Sequence, residues 1–313
     1  MSRIYVIHEN NEWVEPLRDK LSGRGLPFEE WFLNTGVVDL GKTPPEGVFY
    51  NRMSASSHSR GHRYAPEYTA AVLAWLENHG RRVLNGGRAL QLEISKVAQY
   101  TALESEGVRV PRTVAAVGSA ELIAAAEDFQ RPFITKHNRA GKGLGVRLFQ
   151  DVAALTGYVN GPEFVPSVDG ITLLQEYIAS PKRVITRVEF VGGRLLYALE
   201  VDTSQGFELC PADACRVDDA FCPVGEEPGL LFRIQDRFEH PLVAAYQRVM
   251  AANDIHIAGI EFVVDSEGVP YTYDINTNTN YNTEAEEKAG RSGMDVIAEY
   301  LGRELMRVER AAS

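Results

Sequence analysis

A chain of 313 residues exceeds one average domain and falls short of three full ones, so two domains or three small lobes are expected. Hydrophobic residues at 44% and charged residues at 24%, with 27 glycines and 15 prolines, exclude disorder, collagen-like repeats and coiled coil as descriptions of the whole. The net charge of −11 argues against nucleic-acid binding while leaving room for a local basic pocket.

Arg3–His8 reads as a strand, and Trp13, Leu17 and Leu21 put one apolar face on a helix from Glu12. Phe28–Leu33 and Gly47–Tyr50 add two strands around a Pro-Pro turn. Tyr64–His79 is a helix stopped by Gly80, and Arg82–Leu84 is a strand. One long helix is expected from Leu90 to Glu106. A strand over Arg112–Val117 and a helix capped by Ser119 follow. Arg131–Lys136 and Gly145–Phe149 form a hairpin, then come a helix over Asp151–Val159 and a strand over Ile171–Ile178. Arg183–Val191 and Arg194–Val201 make a hairpin about Gly192-Gly193. A helix over Pro241–Asn253, strands over Gly259–Val264 and Pro270–Asn276, and a helix from Met294 complete a mixed α/β (α+β) chain. No run reaches the roughly 18 apolar residues of a membrane span, and the start MSRIYVIHENNEW has no secretory pattern. A cytoplasmic protein without membrane contacts is expected.

Chemistry concentrates at two places. The turn His137-Asn-Arg-Ala-Gly-Lys-Gly-Leu-Gly145 lies between two strands, so it opens no helix and is neither a Walker loop nor a dinucleotide fingerprint. Its amides, with Lys136 and Lys142, can instead cover phosphates as a lid. A plain hairpin whose glycines only permit positive φ accounts for it equally well. The second place is Glu261 on one strand with Asp274 and Asn276 on the next. Counting by two puts Asp274 and Asn276 on one face. Two carboxylates and an amide oxygen suit magnesium on nucleotide phosphates. Both acids sit in apolar runs, which favours a cation over a merely solvated face.

The order of these features, with Gln175-Glu-Tyr-Ile178 and Arg187 between them, resembles the ATP-grasp superfamily, most closely its RimK-type glutamate and amino-acid ligases, over roughly residues 85 to 300. The resemblance implies three lobes: an N-terminal α/β domain over 1–88, a central lobe with a glycine-rich lid over 89–178, and a C-terminal lobe with the metal site over 179–313. It implies that Lys96, Lys136, Lys142, Gly143 and Gly145 hold ATP phosphates and that Glu176, Tyr177 and Ile178 form the adenine hinge. Glu261, Asp274 and Asn276 would hold magnesium, with manganese as an alternative, and Arg187 would neutralise the transferred phosphoryl group. The implied activity is ATP-dependent joining of a carboxylate to an amine through an acyl phosphate. The substrates would be amino acids, or a peptide or protein terminus, and a homo-oligomer is compatible with this. An inositol-phosphate-kinase-like phosphotransferase and a non-catalytic nucleotide-binding module are the alternatives. In RimK-type enzymes Asp usually stands at position 261 and Glu at 274, and a small-residue segment replaces Thr277-Asn-Thr-Asn-Tyr-Asn282.

Two further stretches stand out. Asn51–Arg63 gathers Arg52, Ser54, Arg60 and Arg63 where such ligases meet their carboxylate substrate, and with Asn278 they are candidate substrate contacts. A solvated loop explains that stretch equally well, and His58 and His62 read as surface histidines. Cys210, Cys215 and Cys222 cluster without metal-site spacing and read as incidental thiols. By the resemblance, Glu208, Leu209 and Cys210 lie near the nucleotide.

Overall fold

Alternation in the first strand decides how the molecule starts. In β1 (Arg3–His8), Ile4 and Val6 face one way and Tyr5 and Ile7 the other, and all four are buried. A strand buried on both faces needs helices on both, which is the signature of parallel sheets. The computed structural model describes residues 2–141, 143–203, 232–235 and 237–312. It places β1 beside β2 (Phe28–Phe32) and β3 (Gly47–Asn51), with β4 (Arg82–Leu84) next, all parallel in the order β2-β1-β3-β4. Helix α1 (Asn11–Gly23) belongs to the core on the Ile4 face and α2 (Ala65–Asn78) to the core on the Tyr5 face.

The expected long helix is two. α3 (Gly87–Glu93) stops at Ile94, and α4 (Lys96–Ser105) restarts because Ser95 adopts an extended backbone and its hydroxyl accepts from the Ala98 amide at 3.2 Å. The apolar periodicity ran through the break and hid it.

The central sheet is antiparallel, ordered β5 (Thr113–Ala116), β8 (Thr172–Glu176), β6 (Phe133–His137) and β7 (Arg147–Phe149). Helices α5 (Ser119–Glu127) and α6 (Val152–Val159) build a small core against it. The N-cap of α5 is Gly118 at φ 105°, not Ser119, which is already helical.

The C-terminal sheet runs β11 (Phe232–Gln235), β10 (Arg194–Asp202), β9 (Val184–Val191), β12 (Ile257–Val264), β13 (Pro270–Asn276). Helix α7 (Pro241–Ala252) packs on one face. Two short elements, β11 and α8 (Thr283–Ala289), were not legible in the sequence. The final helix, α9 (Gly293–Ala312), packs back on the first sheet: Ile297, Leu301 and Leu305 share a core with Ile4, Val6, Leu17 and Leu21. Arg24 pairs with Asp295 through two bonds of 2.9 and 2.8 Å, and Arg82 with Glu304 at 2.7 Å. Among the described residues no helix is long and apolar enough to cross a membrane.

Asn85 staples the lobes together. It is fully buried at φ 54°, a left-handed conformation that asparagine tolerates better than most residues. Its Nδ2 donates to the carbonyls of Ile257 (2.7 Å) and Thr277 (2.9 Å), and its Oδ1 accepts from the amides of His256 and Ile257. Asn85→Ala should therefore lower unfolding stability by at least about 3 kcal/mol, because it strands buried polar groups on two segments, His256–Ile257 and Thr277. Urea denaturation measures it, and a loss below about 1 kcal/mol would remove the staple from the account.

Candidate active site

Sheet register assembles the charged centre. Arg187 on β9 faces Glu261 on β12, and Glu261 faces Asp274 on β13, so three ionic side chains form one row across adjacent strands. Just beyond Glu261 the register shifts, and Tyr273 is the extra residue of a bulge in β13. Two residues on from Asp274, Asn276 donates its Nδ2 to Glu261 Oε1 at 3.3 Å. Glu261 also accepts from Arg187 Nη1 at 2.8 Å.

Arg187 is 4% exposed and fully engaged: Nε reaches Glu189 Oε1 at 2.5 Å and Nη2 reaches Thr279 Oγ1 at 2.7 Å. Burial works against its charge, yet Glu189 and Glu261 outweigh that and raise its pKa. Thr279 completes the ring by donating to Glu189 Oε2 at 2.8 Å. The sequence reading missed Glu189; its place two residues after Arg187, on the same strand face, was the available signal.

Facing this row are the two lysines. Lys96 is the first residue of α4, where a cation opposes the helix dipole. It is 5% exposed and its Nζ donates to Asp274 Oδ1. Burial works against the Asp274 charge, but Lys96 and Lys136 outweigh it and hold that carboxyl below its usual range. Burial raises the Glu261 carboxyl, with Arg187 opposing. Lys136, beside the turn of the β6–β7 hairpin, touches among the described residues only neutral groups: Tyr100 Oη and the Tyr273 carbonyl, each at 3.3 Å, and the Tyr273 ring at 5.3 Å. Burial pushes its pKa down. A desolvated ammonium without a contacting carboxylate is ready for an anion.

These groups surround a cavity of roughly 500 Å³ between the three lobes. Its lining includes Glu176, Tyr177 and Ile178 with the apolar side chains Ile134, Val146, Ile185 and Val263. It also includes Lys96, Lys136, Arg187, Glu261, Asp274 and Asn276, with Gly143. Trp13, Ser54, Ser56, Asn278 and Asn280 line it as well. Glu93, another residue the sequence reading missed, lies in the wall and accepts from the amides of Ala55 (3.3 Å) and Thr277 (2.8 Å), tying two lobes there.

The remaining candidates lie elsewhere. Gly145 packs on His137, where a Cβ would come within 2.2 Å of the ring. Arg52, Arg60 and Arg63 do not line the cavity. Arg60 pairs with buried Glu9 at 2.5 Å, as does His62 at 2.8 Å, so His62 is no free surface histidine. Arg63 donates to Glu67 and to the Val168 carbonyl, both at 3.0 Å. The Asn51–Arg63 stretch is thus tied down by ion pairs and a 3-10 turn over Ser57–Arg60, not solvated. Lys142, Glu208, Leu209, Cys210, Cys215 and Cys222 fall outside the described residues.

Among the described residues no three His, Cys, Asp or Glu side chains converge as a metal site. The set here is two carboxylates and one amide oxygen, hard donors that fit magnesium.

No family model matches the chain, and no curated protein matches its sequence. Solved structures do match. A RimK-domain ATP-grasp protein from Sphaerobacter thermophilus is 16% identical with a TM-score of 0.64, covering 96% of this chain and 99% of that one. The ATP-grasp ligase PsnB, complexed with a minimal precursor, is 16% identical with a TM-score of 0.66, covering 96% and 98%. The D-cycloserine synthetase DcsG is 17% identical with a TM-score of 0.64, covering 96% and 99%. The chain has the ATP-grasp fold. Its structural relatives include RimK-type proteins.

Proposed function

We propose that the protein is an ATP-dependent carboxylate–amine ligase acting on an amino acid or a peptide. The observation that carries this is the row Arg187–Glu261–Asp274 with Asn276, which shares with Lys96 and Lys136 a cavity also lined by apolar side chains. A structural relative, PsnB, has been seen with Mg and ADP.

In this reading the adenine lies against the backbone of residues 176–178 among apolar side chains, and Lys96 and Lys136 hold phosphate oxygens. A magnesium ion held by Glu261, Asp274 and the Asn276 amide oxygen would supply charge neutralisation for the triphosphate. The substrate carboxylate attacks the γ-phosphorus and ADP leaves; the amine then attacks the acyl carbon, inorganic phosphate departs as the acyl C–O bond breaks, and the nitrogen gives up a proton to leave the amide. Arg187, locked by Glu189 and Thr279, keeps positive charge fixed beside the transferred group and needs no reorganisation during the step. Closure of the turn carrying Gly143 would exclude the water that hydrolyses acyl phosphates. The three lobes correspond to 1–88, 89–178 and 179–313.

A matrix of L-amino acids supplied in pairs with Mg·ATP tests this through ADP release. Release that requires both a carboxylate and an amine is the expected result. Release with an alcohol alone would identify a phosphotransferase, and none at all a binding module. The phosphotransferase reading loses the basic loop that favoured it, since Arg60 and Arg63 are spent on Glu9 and Glu67.

Lys136→Ala should weaken Mg·ATP binding at least tenfold, about 1.4 kcal/mol, because it deletes a phosphate contact. Calorimetric titration reads this, and an unchanged dissociation constant would remove Lys136 from the nucleotide site.

A further inference from the structure

Beyond the end of β13 the chain continues as Thr277-Asn-Thr-Asn280, and its exposure alternates. Thr277 and Thr279 are buried, at 2% and 0%, while Asn276, Asn278 and Asn280 line the cavity. Three amides, two residues apart in sequence, therefore line the one cavity, the first of them bonded to Glu261.

An amide has a donor end and an acceptor end, and its fixed neighbours decide which of them meets a ligand. At Asn276 the Nδ2 donates to Glu261, so the amide oxygen is the end left over. At Asn278 and Asn280 the polarity is reversed. Arg52 Nε donates to Asn278 Oδ1 at 3.1 Å, and Arg52 Nη2 donates to Asn280 Oδ1 at 2.7 Å. A guanidinium has no acceptor, so flipping either amide would set N–H against N–H. Arg52 itself cannot turn: it is 3% exposed, and it also donates to the carbonyls of Trp13 (2.9 Å) and Thr279 (3.0 Å). Among the described residues no protein atom accepts from Nδ2 of Asn278 or Asn280.

We propose that Asn278 and Asn280 form the subsite for the substrate carboxylate, giving it amide N–H donors, and that Arg52 is a positioning residue that fixes their polarity. The proposal rests on the ligase reading above. Neutral donors orient a carboxylate while withdrawing less of its charge than a cationic, bidentate guanidinium would, which leaves its oxygens more nucleophilic. An ammonium would meet only donors here, so the amine substrate approaches from another side. The first of the three amides faces the cation and the next faces the acid, which sets the attacking oxygen beside the γ-phosphate.

The test uses the twenty L-amino acids and their N-acetyl forms as acids, with Mg·ATP and hydroxylamine as the amine, and reads hydroxamate and ADP. Asn278→Asp and Asn280→Asp keep an oxygen for Arg52 and replace the N–H group by a second oxygen. Each should raise the KM of the acid at least tenfold without moving the KM of Mg·ATP. Asn278→Ala and Asn280→Ala should raise the acid KM less. Arg52→Lys, which cannot hold both amides, should also raise the acid KM alone; a variant that merely loosened the fold would move both constants. Hydroxamate formation with an unchanged acid KM in both Asp variants overturns the subsite while the ligase reading stands. Neither hydroxamate nor ADP from the wild type with any acid overturns the ligase reading, and the subsite with it.

Discussion

Asp274→Asn should reduce turnover at least about 10³-fold, some 4 kcal/mol of transition-state stabilisation, and leave the protein folded. The substitution keeps the size and planarity of the side chain and removes one of the two carboxylates proposed to hold the cation. Two effects on stability oppose each other. Lys96, 5% exposed, loses its counter-ion, which is unfavourable. Glu261 loses a like-charged neighbour whose presence raises its pKa, which is favourable. The melting temperature should therefore move by only a few degrees while ADP release disappears. Activity within tenfold of wild type would remove Asp274 from the metal set.

Arg187→Met should act on both activity and stability. Removing the guanidinium leaves Glu189 at 1% and Glu261 at 6% exposure without their shared cation. Breaking a buried ion pair in this way typically costs about 3–5 kcal/mol. Replacing Glu189 as well, in Arg187→Met/Glu189→Gln, removes one of the stranded charges and should recover part of that loss. It should recover none of the activity, because the positive charge proposed to neutralise the phosphoryl group is still missing. Urea unfolding and ADP release on the two variants separate the roles. If the double variant is no more stable than the single one, the buried triad is not what holds these strands in place.

Much of the architecture could be read from the sequence because each signal was local. Val6 and Ile7 declare a strand buried on two faces, and the Gly192-Gly193 pair declares a hairpin. The Glu261, Asp274 and Asn276 juxtaposition followed from counting by two on neighbouring strands. What escaped depended on contacts remote in sequence. Leu92 and Leu103, eleven residues apart, stay in helical phase across Ser95, and only the cap bond to Ala98 reveals the break that sets Lys96 at a helix start. Arg52, Arg60 and Arg63 looked like an anion-binding cluster. Their partners, Asn278, Asn280, Glu9 and Glu67, come from other segments, and three of the four lie far from that stretch in sequence. Glu93 ends an apolar helix and gave no hint that it would receive backbone amides from two lobes. The Asn-Thr alternation after Asn276 was visible as a pattern, but its meaning depends on which way Arg52 turns the amides.

The packing of α9 beneath the β1–β4 sheet has a consequence for biosynthesis. Leu17 and Leu21 find part of their covering in Leu301 and Leu305, so the opening sheet and α1 emerge from the ribosome with one apolar face incompletely covered until α9 is translated. Vectorial folding of that lobe alone is therefore disfavoured, and chaperone occupancy of the nascent chain is favoured. A nonsense codon ahead of Gly293 would yield a sticky fragment bound for degradation, not a small soluble domain.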